Sequence, residues 1–167
     1  GESEQKFFDI IRNEDSLKSN HYIYSNDSDS IIGSLQFIDK NIFIIIKNDE
    51  RKPYLKSPYS IIDIKKFREY LLSKLHFHGQ FDVKRVMHDV IALSPLWCND
   101  IIPIFRDISK KEHYFDTLLD SYFKINKNKA NNYEYLIDDN NKICFSTFIK
   151  VISQFFKREI KIATPKE

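Results

Sequence analysis

The sequence has few of the residues that break or cross-link a chain. Only 3 of its 167 residues are glycine and 5 are proline. No glycine-rich phosphate loop is present, and more helix than sheet is expected. The two cysteines, Cys98 and Cys144, lie far apart and match no metal pattern. Each sits in an apolar helical context and reads as a buried free thiol, which suits a reducing compartment, cytosol or nucleus. There is no signal-peptide pattern and no run of about 18 apolar residues, so no membrane partner is expected. Alanine is scarce beside abundant Ile, Asn, Lys, Phe and Tyr, a bias of AT-rich genomes that carries no functional signal. Neither sign of charge dominates: 26 Lys and Arg face 24 Asp and Glu, a formal net charge of +2. A dedicated nucleic-acid domain is usually more basic, so this balance neither requires DNA nor excludes it.

What is present is core-forming. Hydrophobic residues make up 42% of the chain and aromatics 14%, and the charges are well mixed, which argues against disorder for most of the length. The size permits one ordinary domain or two small ones. The abrupt start at Gly1-Glu2-Ser3 reads as a piece of a longer protein.

The stretch from Asp27 to Ser57 organises the first part. Asp27-Ser28-Asp29-Ser30 is a run of helix-capping side chains, followed by Ile31, Ile32, Leu35 and Ile38 at helical spacing. The helix should stop near Lys40-Asn41. A β-rich run, Ile42 to Lys47, leads into a charged tip, Asn48 to Lys52, and a short return strand, Pro53 to Lys56. Before it, residues 2–12 predict an amphipathic helix with Phe7, Phe8, Ile10 and Ile11 inward. His21 to Tyr24 predicts a short strand that pairs with the hairpin.

After Ser57-Pro58, Ser60 with Asp63 resembles a capping box, opening a helix over 61–76 with Ile61, Ile64, Phe67, Leu71, Leu72 and Leu75 apolar. Asp82 caps a helix carrying Val83, Val86, Met87, Val90 and Ile91, broken at Ser94-Pro95. Helices follow over 97–107 and 111–124. Strands over 133–137 and 142–145 form a second hairpin, and a last helix spans 146–160 with Phe148, Ile149, Ile152, Phe155 and Phe156. Helix, helix, hairpin thus occurs twice as a pattern, without a close sequence repeat.

No catalytic constellation stands out. His76 and His78 lack a second cluster and read as solvent-facing imidazoles. Arg106 and His113, with six residues between them and Asp107 beside the arginine, resemble the Arg-to-His motif of HEPN ribonucleases. There the histidine would transfer protons and the arginine would steady phosphate charge; the plainer reading is a surface turn at Ser109-Lys110. The first candidate reading helix carries Asp27, Asp29 and Asp39 against Lys40, which repels phosphate, and only Gln36 and Ser34 could touch bases. The basic candidates for nucleic-acid contact are Lys47, Arg51, Lys52 and Lys56 at the hairpin tip, and Lys157 and Arg158 at the end of the last helix. Gln36, Tyr54, Tyr59, Tyr114 and Tyr122 are the candidates for contact with a protein partner.

The order of elements resembles a known family. Ser28-Ile31-Ile32-Leu35-Ile38, the hairpin from Ile42-Phe43-Ile44-Ile45-Ile46 through Tyr54-Leu55, and the following helix resemble the first winged helix of the STN subunit of the telomeric CST complex. FDVKRVMHDVIALSP, WCNDIIPIFRDIS and HYFDTLLDSYF are similar in order and spacing to the helical half of that family's C-terminal region. The resemblance spans about 2–160 and rests on hydrophobic pattern. The segment after Asn126 is longer than the family pattern, and the composition suits a ciliate, telomerase-associated member. The resemblance implies a docking region in an RPA-like complex that regulates telomerase and recruits DNA polymerase α–primase for fill-in of the complementary strand.

These readings set the expectations. The fold class is mostly α with small β-hairpins, an α+β chain of tandem winged-helix domains. The first spans 2–58, the second with its linking helix 59–160, and 161–167 is a disordered tail. The function is a protein-interaction region with no enzymatic activity, no cofactor and no metal. Its expected partners are the other CST subunits, the telomerase holoenzyme and DNA polymerase α–primase, at nuclear telomeres, with weak or absent DNA contact. The alternatives are a winged-helix nucleic-acid-binding module and a HEPN-type ribonuclease.

Overall fold

A computed structural model describes residues 2–14, 19–49, 57–75, 79–96, 114–127 and 132–163, with side chains over 4–157 of those ranges. The class is α+β, as expected: six helices and a three-stranded sheet among the described residues. The chain forms two compact units, Gly1–Leu71 and Leu72–Glu167.

The first unit holds α1 (Glu2–Asn13), β1 (Asn20–Tyr24), α2 (Ser28–Ser34), β2 (Asn41–Lys47), β3 (Tyr59–Asp63) and most of α3 (Ile64–Ser73). β2 is central, parallel to β1 and antiparallel to β3. The strand expected at His21–Tyr24 does pair with the β2 run. Period-2 alternation decides the faces. Ile42 and Ile44 point inward and are buried, as are Ile11, Ile32, Leu35, Phe37, Ile64 and Leu71. Phe43 and Ile45 point the other way.

Several local expectations need correction. α2 ends at Ser34, short of Lys40. The Ser34 hydroxyl donates to the Ser30 carbonyl, and the chain then makes successive tight turns, Leu35 to Ile32, Phe37 to Ser34 and Lys40 to Phe37. The carbonyls of Phe37 and Ile38 are taken by the buried Arg68 guanidinium instead of a further helical turn. Residues 59–63 form a strand, which takes the first three positions of the helix expected over 61–76. The β-branched pair Ile61-Ile62 bonds to β2, and Asp63 caps α3 by accepting the amides of Lys65 and Lys66. Ser60 is no cap; its hydroxyl donates to Asn48. The expected domain division after residue 58 falls between β2 and β3, whose ladder holds 59–63 in the first unit. The return strand expected at 53–56 lies outside the described residues. Ile10, expected inward, is exposed, as are Ile38 and Ile61 of the apolar runs.

The second unit holds α4 (Val83–Leu93), a 3-10 turn at Ser94–Leu96, α5 (Tyr114–Asn126) and α6 (Phe145–Ala163). Asp82 caps α4 as expected, accepting the amides of Lys84 and Arg85. Val86, Met87, Val90 and Leu93 face the core with Leu118, Leu119, Tyr122, Val151 and Phe155. The second hairpin reduces to one antiparallel bridge, Ile137 to Ile143. The segment before it is held by side chains instead: Asn126 pins Glu134 through both its amide N–H and carbonyl, and the Asp89 carboxylate accepts the Leu136 and Ile137 amides. α6 runs to Ala163, so the expected tail begins inside a helix. Ile149 on α6 is exposed. No helix among the described residues is long and apolar enough to cross a membrane. The helix expected over 97–107 lies outside the described residues.

Candidate nucleic-acid interface

The parity that buries Ile42 and Ile44 leaves the other sheet face outward. In register across the strands, Tyr22 stands beside Phe43 and Phe43 beside Asp63. Tyr24 stands beside Ile45, Ile45 beside Ile61, and Lys47 beside Tyr59. Tyr22, Tyr24 and Ile61 are each more than 60% exposed, and Tyr59 is 48% exposed. Tyr22 stacks on Phe43 with ring centroids 5.2 Å apart and planes 18° from parallel. Tyr24 reaches diagonally over β2 to Tyr59, edge to face at 6.3 Å. The polar faces of antiparallel surface sheets usually alternate with the core-facing residues; this one is aromatic and aliphatic. Its one carboxylate, Asp63, is committed to the α3 N-terminus, and Lys47 supplies exposed positive charge at the opposite corner.

Two residues singled out from sequence, Lys47 and Tyr59, are therefore direct neighbours on this face. Tyr22, Tyr24 and Ile61 were missed. The signal for the two tyrosines was available, because any strand over 21–24 must place Tyr22 and Tyr24 on one face.

The other candidates scatter. Gln36 is half-buried: its amide donates to the Gly33 carbonyl at 2.8 Å, and its oxygen accepts from Arg12 at 3.5 Å. It is thus occupied within the first unit and does not present itself as a base reader, and Ser34 is fully buried. Tyr114 and Tyr122 are core residues, 4% and 0% exposed, which corrects the expectation that they meet a partner. Tyr114 packs edge to face on Phe155, and Tyr122 donates to Asp89. Lys157 is exposed on α6. Arg51, Lys52, Tyr54, Lys56 and the Arg158 side chain lie outside the described residues, as do His76, His78, Cys98, Arg106, Asp107 and His113.

In the second unit, a cleft of about 220 Å³ lies between α4 and the turn at 138–141, lined by Lys84, Arg85, His88, Asp138, Asp139 and Asn141. Its charges are largely spoken for. Arg85 pairs with Asp139 at 3.0 Å, donates to the Ile137 carbonyl and lies over the Tyr135 ring at 3.9 Å. One Asp138 oxygen accepts the amides of Asn140 and Lys142, helping Asn141 hold its positive φ of 58°. Burial, helped by the nearby Lys84 charge, lowers the His88 pKa and favours the neutral ring. Cys144 is not a buried thiol. It sits half-exposed in front of α6, where the hydroxyls of Ser146 and Thr147, each 3.3 Å from its sulfur, lower its pKa to about 7.

No family model matches the chain. Among curated proteins, one from Acanthamoeba polyphaga mimivirus is 26% identical over 152 residues, covering 87% of this chain. That protein carries the description "Putative 5'-3' exonuclease", and this chain spans 23% of its length. The expectation of a chain without enzymatic activity is corrected by this similarity, which points toward a nuclease.

Proposed function

We propose that this chain is a strand-handling part of a larger protein that degrades polynucleotides from the 5' end. What carries the reading is the 26% identity with the viral protein described as a "Putative 5'-3' exonuclease", which covers 87% of this chain and so extends through both units rather than one short motif. The outward aromatic face with Lys47 supports it, because rings beside a cation suit bases beside phosphates. The test uses the full-length protein with single strands labelled at either end. Early release of 5' label with late release of 3' label is expected. Release from the 3' end first, or intact strands after long incubation, would overturn it.

A second reading is a docking region of the telomeric CST complex, built from tandem winged helices. The order helix, strand, helix, hairpin, helix in the first unit supports it, and so do the exposed tyrosines, which are enriched at protein interfaces. It expects the CST large subunit, telomerase or DNA polymerase α–primase to be recovered with this chain from native nuclear extract. Consistent absence of all three would sink it.

A further inference from the structure

We infer that the outward face of the β1-β2-β3 sheet is a stacking platform for an extended single strand of nucleic acid, with Tyr22 and Tyr59 as its principal ring contacts. The inference rests on the polynucleotide reading above and specifies the form of the substrate.

Three features select this occupant. First, the aromatic residues are grouped in two sets, Tyr22 with Phe43 and Tyr24 with Tyr59. By register Tyr59 lies two strands and four positions from Tyr22, about 16 Å away. A base laid on either ring must offer an open π-face. An unpaired, extended strand does so, whereas a duplex keeps its base faces covered by its own stacking. Second, the face carries apolar rings and aliphatics, and its strand carboxylate, Asp63, caps α3 four register positions away from the Lys47–Tyr59 pair. A phosphate at Lys47 is thus about 13 Å along the sheet from that charge. Third, the rings are set on paired strands, so they are held in place before a base arrives, which lowers the ordering cost of binding. Stacking of this kind tolerates any base, because every base has a π-face.

The experiment is fluorescence anisotropy of the chain with fluorescein-labelled oligo(dT), and with a duplex of the same length, over a salt series. Single-strand binding well above duplex binding is expected. Tyr22→Ala and Tyr59→Ala should each weaken it about tenfold, while Tyr22→Phe, which keeps the ring, should restore most of it. Lys47→Ala should flatten the salt dependence by about one phosphate contact. These tyrosines are exposed, so the variants should melt close to the parent; circular dichroism checks this. No single-strand binding at low salt, equal affinity for duplex, or binding indifferent to both alanine variants would each overturn the inference. A concentration-dependent dimer abolished by Tyr22→Ala, without strand binding, would assign the face to a second copy and also overturn it. The nuclease assay stays independent. Degradation by the full-length protein that ignores Tyr22 and Tyr59 removes this site and leaves the functional reading. Strand binding without 5' degradation does the reverse.

Discussion

Tyr122 donates its hydroxyl hydrogen to the Asp89 carboxylate across the core of the second unit, 33 residues away in sequence, at 2.5 Å. The same carboxylate accepts the Leu136 and Ile137 amides at 2.7 and 2.8 Å. One buried side chain thus ties α4, α5 and the irregular segment before the bridge. Burial raises the Asp89 pKa above its ordinary 3.8 although these three donors and Arg85 pull it down.

Asp89→Asn should therefore destabilise the second unit by about 2–4 kcal/mol. The new amide keeps one acceptor oxygen but puts N–H groups where the other oxygen accepted, so one or two of the three donors are left unpaired in the core. The pH dependence has a definite sign. A folded pKa above the unfolded value means the protonated carboxyl is favoured by folding. That contribution is fully present below about pH 3.8 and is lost as pH rises through the elevated folded value. The stability gap between the parent and Asp89→Asn should narrow over that rise. Urea unfolding of both proteins across the range measures it, and a gap that widens with pH would contradict the assignment.

Arg68 is 5% exposed and holds the first unit's tight turn by donating to the Phe37 and Ile38 carbonyls at 3.1 and 2.8 Å. Arg68→Met keeps the apolar stem and leaves both carbonyls without this donor. A loss of about 2–4 kcal/mol is expected. Arg68→Lys should recover only part of it, since a single ammonium lacks the planar fork. Hydrogen exchange of the β2 amides reads the first unit directly. Unchanged protection in Arg68→Met would show the bonds to be dispensable.

Gly33 is the position where a small change should be costly. A Cβ there would stand 2.5 and 2.7 Å from two atoms of the Phe8 ring. That ring is wedged between Phe7 and Phe37, with centroids 4.3 and 5.6 Å away. Alanine gains about 1 kcal/mol of helix propensity, whereas overpacking costs about 1–3 kcal/mol. Gly33→Ala should be net destabilising, and the penalty should shrink when Phe8 is shortened to leucine. Thermal melts of the single and double variants decide it; a stabilised Gly33→Ala would mean that the ring moves freely.

Cys144 should react with iodoacetamide half-maximally near pH 7, about two units below its ordinary value of 9.0. The cause is donation by Ser146 and Thr147 to the thiolate at the start of a long helix. Ser146→Ala with Thr147→Ala should move the midpoint upward. A midpoint already near 9 in the parent would remove the effect.

Elements whose signals are local were legible. Asp82, followed by Val86, Met87 and Val90 at helical spacing, marks α4 and its buried face, and the structure follows it. β2 was legible from a run of branched residues. β3 was not: Tyr59 to Asp63 contains a plausible cap and apolar residues, and only the free edge of β2 makes it a strand. Tertiary pairing overrode the local pattern. Tyr114 and Tyr122 looked like surface aromatics because their periodicity does not say which side of α5 meets α6. Of the interface, Lys47 and Tyr59 were found individually, but their adjacency depends on hairpin register.

The existence of α1, α4 and β2, the capping of α2 and α4, and the alternation in β2 follow from residue-by-residue chemistry, because each depends on neighbours within a few positions. The partners of Asp89 and Arg68, the strand state of 59–63 and the shared face of Tyr22, Tyr24, Tyr59 and Lys47 were decided by the fold. Each joins residues far apart in the chain, and such pairing is set by which faces exclude water together, a property no local window contains.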